Sequence, residues 1–150
     1  MLLLDGVQDP GNVGALVRTA AWFGVAAVVA DDKTADFETP KAVRASMGGL
    51  WDVSLVRVPA LGPVLDRLAD AGVEAWGADL GGTPIGRWTP PRGAALVMGS
   101  EAHGLSEPVA EWLRQRGGVV HVPGAGGERA GVESLNVVVA GGVLLHRWLG

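Results

Sequence analysis

No cysteine occurs among the 150 residues, which excludes disulfides, zinc–thiolate sites and thiol nucleophiles. No apolar run approaches the ~18 residues needed to span a bilayer. The opening Met1-Leu2-Leu3-Leu4 is cut short by Asp5, so it has neither the charged start nor the long apolar stretch of a signal peptide. The expected compartment is the cytoplasm. A phosphate-binding GxxxxGK(S/T) loop is missing, as is a GxGxxG after a strand, and the NTPase and dinucleotide-oxidoreductase readings lose their main support. His103, His121 and His146 have no metal-like spacing with carboxylates, so no metal site is expected. Lysine is scarce: the twelve cations are ten arginines plus Lys33 and Lys41, and the formal net charge is −4. That balance does not suit a self-sufficient nucleic-acid binder. Any grip on nucleic acid requires a local cluster, a second subunit or a further domain.

What the chain has in plenty is apolar sequence punctuated by turns: 48% hydrophobic residues, 24 glycines and 9 prolines. Short buried strands alternate with helices. The pattern predicts strands at Leu2–Leu4, Val25–Ala30, Val53–Val58, Glu74–Asp79, Ala94–Met98 and Val119–Val122. It predicts helices from an Asn12 cap to about Phe23, then over Lys41–Ser46, Leu61–Ala71, Pro108–Arg116 and Ser134–Leu149. Gly24 and Gly72 close the first and third helices, and Gly81-Gly82-Thr83-Pro84 reads as the turn after the fourth strand. Six strands alternating with helices imply an α/β fold: a parallel six-stranded sheet with helices on both faces. Neither a linker nor a repeat interrupts residues 1–150, which read as one domain. The six tryptophans read as core or interface anchors, and Asp31-Asp32 as a solvated turn.

Polar residues in three apolar settings mark one site, because ligands of such sheets bind beyond the carboxyl ends of the strands. The first is Asp9-Pro10-Gly11-Asn12-Val13-Gly14 leading to Arg18. Arg18 falls about 140° from Val13 on the helical wheel, just off the apolar stripe of Val13, Leu16, Val17, Ala20 and Ala21, and Gly14 leaves room for another group to approach. The bland alternative is a helix cap and a solvated arginine. The second is Met98-Gly99-Ser100-Glu101-Ala102-His103-Gly104-Leu105-Ser106, whose glycines admit close backbone approach to a ligand. Its bland alternative is a strand-to-helix loop with Ser106 as cap. The third is Val120-His121-Val122-Pro123, a glycine-rich loop, and then Ser134-Leu135-Asn136; alone, Ser134 would be a helix cap.

Together the three segments resemble, in order and spacing, the three motifs of the SpoU family of RNA ribose 2′-O-methyltransferases, over essentially the whole chain. The resemblance implies a C-terminal deep trefoil knot, which topology rules alone would not suggest. It implies S-adenosylmethionine as cofactor, transfer of its methyl group to a ribose 2′-hydroxyl of structured rRNA or tRNA, and a homodimer with no membrane or metal partner. It places Asn12, Arg18, Glu101, Ser134 and Asn136 at the catalytic positions, and Met98, Gly99, Val122, Pro123, Ser134 and Leu135 around the cofactor. Arg18 is expected to clamp phosphate and stabilise the developing alkoxide, and Glu101 to hold Arg18 or Asn12. His103 is expected to be a loop residue, since the family does not depend on an imidazole there. The 124–133 loop is longer than the pattern, with an inserted-looking Gly127-Glu128-Arg129-Ala130; Arg129 reads as solvated. Because the chain begins almost at the first motif, the N-terminal RNA-recognition domain of many relatives is expected to be absent. The competing reading is a non-catalytic RNA-binding or assembly module that retains the fold.

Overall fold

The structure, a computed structural model, describes residues 1–124 and 134–150; the inserted stretch and Arg129 lie outside them. Among the described residues six strands form one sheet: β1 (Leu2–Asp5), β2 (Ala27–Ala30), β3 (Ser54–Arg57), β4 (Ala75–Pro84), β5 (Ala95–Gly99) and β6 (Gly118–His121). Their spatial order is β3-β2-β1-β5-β4-β6 and every pairing is parallel. The described residues also form five α-helices: α1 (Pro10–Trp22), α2 (Pro40–Ser46), α3 (Gly62–Asp70), α4 (Glu107–Arg116) and α5 (Val137–Leu149). Short 3-10 turns occupy Gly49–Trp51 and Ile85–Arg87.

Alternation along the central strands sorts the core into two layers. Leu2, Leu4, Leu96 and Met98 face one side with Leu16 and Val17 of α1 and Leu144 and Leu145 of α5. Leu3, Ala95 and Val97 face the other with Leu65 and Leu68 of α3 and Val109 and Leu113 of α4. The α/β expectation, with helices on both faces of a parallel six-stranded sheet, therefore holds. Of the expected stripe, Val13, Leu16, Val17 and Ala20 are buried as their spacing requires, while Ala21 is half-buried.

Local boundaries depart from expectation in four instructive places. The cap of α1 is Asp9, not Asn12: the Asp9 carboxylate accepts from the amides of Gly11 and Asn12, and Pro10 takes the first helical position, where its missing N–H costs nothing. The closing helix begins at Val137, capped by Asn136, whose side-chain oxygen accepts from Val138 and Val139; Ser134 precedes it. The Gly81–Pro84 segment is not a turn but the bulged second half of β4, paired with β6 after a register shift. A side chain at Gly82 would sit 2.5 Å from the backbone of Val119 and Val120, so only glycine permits that approach. Finally, Asp31 is buried rather than solvated; it accepts from the Gly6 amide and from the amide and hydroxyl of Thr34.

Two glycines set the helix packing around the site. Gly14 of α1 faces the Ala42 backbone of α2, and an added Cβ would lie 2.9 Å from the Ala42 carbonyl carbon. Gly141 of α5 lets Leu16 of α1 come within 2.8 Å of where a Cβ would stand, with Met98 of β5 just beyond. The starts of α1 and α5 are thereby brought together over the end of β5.

Candidate functional site

Ligands of such sheets bind beyond the carboxyl ends of the strands. A cavity of about 360 Å³ lies beyond those ends of β4, β5 and β6, within the ~300–1,000 Å³ of small-ligand pockets. Ala78, Asp79 and Leu80 of β4, Met98 to Gly104 at and after the end of β5, Val120 to Val122 at the end of β6, and Ser134, Leu135, Val137, Ala140 and Leu144 of the closing segment line it. Its floor is apolar. Its charged lining residues among those described are Asp79 and Glu101, with no lysine or arginine.

The loop after β5 is a closed backbone ring. Ser100 and Gly104 exchange amide-to-carbonyl hydrogen bonds of 2.9 and 2.8 Å, and Gly104 has φ +69°, a conformation that favours glycine. The ring presents Glu101, Ala102 and His103 at the rim. Glu101 accepts a 2.5 Å hydrogen bond from the Asn12 Nδ2. Asn12 is free to give it because Asp9 carries the helix cap. The Asn12 Oδ1 in turn accepts from the Asn136 Nδ2 at 3.3 Å, and the Asn136 Oδ1 is held by the first amides of α5 at 2.9 and 3.4 Å. A directed chain thus runs from the α5 amides through Asn136 and Asn12 to Glu101. It fixes which way each side-chain amide points.

Of the expected site residues, Asn12, Glu101 and Asn136 come together, and Ser134 lies on the cavity wall beside them. Met98, Gly99, Val122 and Leu135 also line the cavity, while Pro123 is exposed outside the lining. Arg18 stands apart from the Asn12–Glu101–Asn136 chain. Six residues along α1 from Asn12, it is carried about 9 Å up the axis and about 240° around it, and it points to solvent. Of its two expected partners, Glu101 holds Asn12.

Three further contributors carry no site role in the motifs. Asp79 brings a carboxylate to the rim. His121 lines the wall, with its Nδ1 2.8 Å from the Gly82 carbonyl oxygen. Asp5, at the end of β1, is buried and accepts a 2.6 Å hydrogen bond from the Ser106 amide. A carboxylate ending an all-leucine strand was the available signal for the last. Burial pushes the Asp5 carboxyl above its usual range; the Ser106 hydrogen bonds and Lys33 oppose the shift, and Asp31 adds to it. At the start of α1, the Lys41 ammonium 2.8 Å away and the amides of Asn12 and Gly11 hold Asp9 below the ordinary carboxylate range.

Fold and site define a parallel α/β domain with a small-ligand cavity beyond the carboxyl ends of β4, β5 and β6 and an aligned polar chain at its rim. The particular family follows from comparison: the sequence matches the SpoU rRNA Methylase family over residues 1–146, and the chain belongs to that family. It is 36% identical over 146 residues to an uncharacterized tRNA/rRNA methyltransferase of Archaeoglobus fulgidus, covering 97% of this chain and 62% of that protein. It is 36% identical over 151 residues to the 23S rRNA (guanosine(2553)-2′-O)-methyltransferase of Bacillus subtilis, covering 100% of this chain and 58% of that one. Among solved structures it resembles the SpoU methyltransferase AviRb of Streptomyces viridochromogenes in complex with AdoMet, with TM-score 0.84, 29% identity and coverage of 97% and 57%. The chain spans less than two thirds of the length of each of these relatives.

Proposed function

We propose that this chain binds S-adenosylmethionine in the cavity and transfers the methyl group to a ribose 2′-hydroxyl of rRNA or tRNA in the cytoplasm. The observation that carries this reading is the sign of the cavity. Asp79 and Glu101 stand over an apolar floor with no lysine or arginine among the described lining residues. That chemistry suits a cationic ligand with an apolar body and disfavours one bearing phosphates. A sulfonium adenosyl cofactor fits it, whereas a dinucleotide or nucleoside triphosphate does not. The family membership, the 2′-O specificity in the name of the Bacillus relative and the AdoMet in the AviRb complex support the same reading.

S-adenosylmethionine supplies an electrophilic sulfonium methyl group when bound. Met98, Gly99, Val122, Ser134 and Leu135 would hold it, with Val120, Val137 and Leu144 completing the floor. A ribose hydroxyl is a poor nucleophile at neutral pH, so the protein must position it in line and stabilise the charge it develops. Asn12, Asn136 and Ser134 supply neutral hydrogen-bonding groups at the mouth, and Glu101 locks Asn12. Guanidinium stays protonated, so Arg18 serves as a clamp on RNA phosphate and on the developing alkoxide, not as a base.

Because Arg18 faces away from the mouth of its own chain, it acts in the mouth of a second copy. Trp22 (84% exposed) on α1 and Val139 (52%) and Val143 (38%) on α5 leave an apolar surface uncovered on these two packed helices. Burial of this face in a homodimer would cover it and bring each Arg18 to the opposite site. The deep trefoil knot belongs to the same reading. Its support is that the chain leaves the edge strand β6 and returns to the middle of the sheet, where α5 packs on Leu16 and Met98.

The test is methyl transfer. Protein, methyl-labelled S-adenosylmethionine and rRNA or tRNA should give label in 2′-O-methylnucleosides after digestion. Label confined to bases, or none from any RNA despite cofactor binding, would overturn the reading.

A further inference from the structure

We propose that Asp5 is a positioning residue for this site: its hydrogen bond to the Ser106 amide fixes the 99–106 ring, and with it Glu101, against the start of α1. The inference rests on the function proposed above for its link to the reaction, although its structural half stands independently. The bond joins residues 101 apart in sequence, at the place where Asp5 pairs in register with Gly99. The ring is therefore held at three points: by Gly99 in β5, by the Asp5–Ser106 bond at its far end, and by the Glu101–Asn12 bond at its tip. Ser106 occupies the cap position of α4 and makes no side-chain cap bond. Its amide is committed to Asp5 instead, which ties the start of α4 to β1.

The residue type supports the assignment. Asp5 is only 4% exposed and follows three fully buried leucines. A fourth apolar residue would continue that run without desolvating a carboxylate, whose burial is costly. The groups that face it are Asp31 and Lys33 from the segment after β2 and Ser106 from the loop after β5. Asp31 does the same kind of work one strand away, holding the Gly6 amide and Thr34. Asp5 never lines the cavity; it acts through the ring that does.

Three variants test this in the full chain: Asp5→Leu, Asp5→Asn and Ser106→Pro. Asparagine keeps an acceptor at the position of the carboxylate. Proline removes both Ser106 donors to Asp5, the amide and the hydroxyl, at a residue whose φ of −63° already suits it. Hydrogen exchange at Gly104 and Ser106 and calorimetric affinity for S-adenosylmethionine are the two readouts. In Asp5→Leu, Gly104 and Ser106 should lose about tenfold or more in protection; in Ser106→Pro, which has no amide at 106, Gly104 should. Both variants should lose about tenfold or more in affinity, as expected for a charge-assisted hydrogen bond. Asp5→Asn should stay within about threefold of wild type in both. Unchanged protection and affinity in Asp5→Leu and Ser106→Pro would overturn the proposal. So would an Asp5→Asn variant as impaired as Asp5→Leu with an equal fall in global stability, which would mark a core defect. Wild-type protein that fails to bind the cofactor would sink the proposed function, whereas the exchange readout would still decide the role of Asp5 in the ring.

Discussion

Replacing Gly99 by alanine tests the close-packed ring at its tightest point. The new Cβ would lie 2.5 Å from the Gly104 carbonyl oxygen and 2.6 Å from the Leu105 nitrogen, distances that real Cβ atoms do not adopt. Both obstacles are backbone, so no side chain can rotate away. Either the Ser100–Gly104 pairing opens or the ring lifts from β5, which strains the Asp5–Ser106 and Glu101–Asn12 bonds together. Overpacking of this kind costs about 1–3 kcal/mol, equivalent in a chain of this size to a fall in Tm of roughly 2–12 °C. Because the ring forms a cavity wall, affinity for S-adenosylmethionine should fall by about tenfold. Gly62→Ala is the matched control, since nothing stands within 4 Å of its added Cβ at the start of α3, and it should be neutral or slightly stabilising. Thermal denaturation and calorimetry on the three proteins decide the matter. A Gly99→Ala protein with wild-type Tm and affinity would refute the placement of the ring.

Further outcomes follow from the site and the helix faces. Asn12→Ala breaks the chain between Asn136 and Glu101; methyl transfer should fall by about two orders of magnitude while cofactor affinity, measured by calorimetry, stays within about threefold of wild type. Arg18→Ala should abolish transfer and spare cofactor binding, and mixing it with Asn12→Ala should restore one working site per mixed dimer; no restoration on subunit exchange would place Arg18 in the mouth of its own chain. Trp22→Glu with Val139→Asp should convert a dimer to an inactive monomer in light scattering. The depressed pKa of Asp9 means that its contribution to stability is present above the ordinary carboxylate range and lost as pH falls through its lowered value. Exchange protection in the first turn of α1 should therefore weaken in that acid window, and Asp9→Asn should remove the dependence.

Much of the architecture was legible because burial writes itself into periodicity. The stripe of Val13, Leu16, Val17 and Ala20 placed α1, and the uninterrupted Ala94–Met98 run placed a strand covered on both faces. The misplaced boundaries share a cause: a side chain with two possible jobs. Asp9 and Asn12 are both good caps, and only one can serve; Pro10 between them was the overlooked arbiter. Asn136 and Ser134 pose the same choice at α5. Gly81-Gly82-Thr83-Pro84 looks like a turn because glycine signals one, yet Gly82 is there to admit the backbone of β6. Asp31 looked solvated because its partners, Gly6 and Thr34, are gathered only by the fold. The motifs name residues that meet at the cavity mouth, Asn12, Glu101 and Asn136. Their connection was not readable there: Asn12 meets Glu101 across 89 residues and Asn136 across 124, and no local pattern encodes a pairing at that range. The outward direction of Arg18 likewise emerges only once the rest of the site is in place.

Calorimetric titration of the folded protein with S-adenosylmethionine tests the central claim most directly. Saturable binding at one site per chain is expected, weakened by Gly99→Ala and unaffected by Arg18→Ala. No heat, together with no shift in Tm at saturating cofactor, would contradict the assignment of the acidic-rimmed cavity.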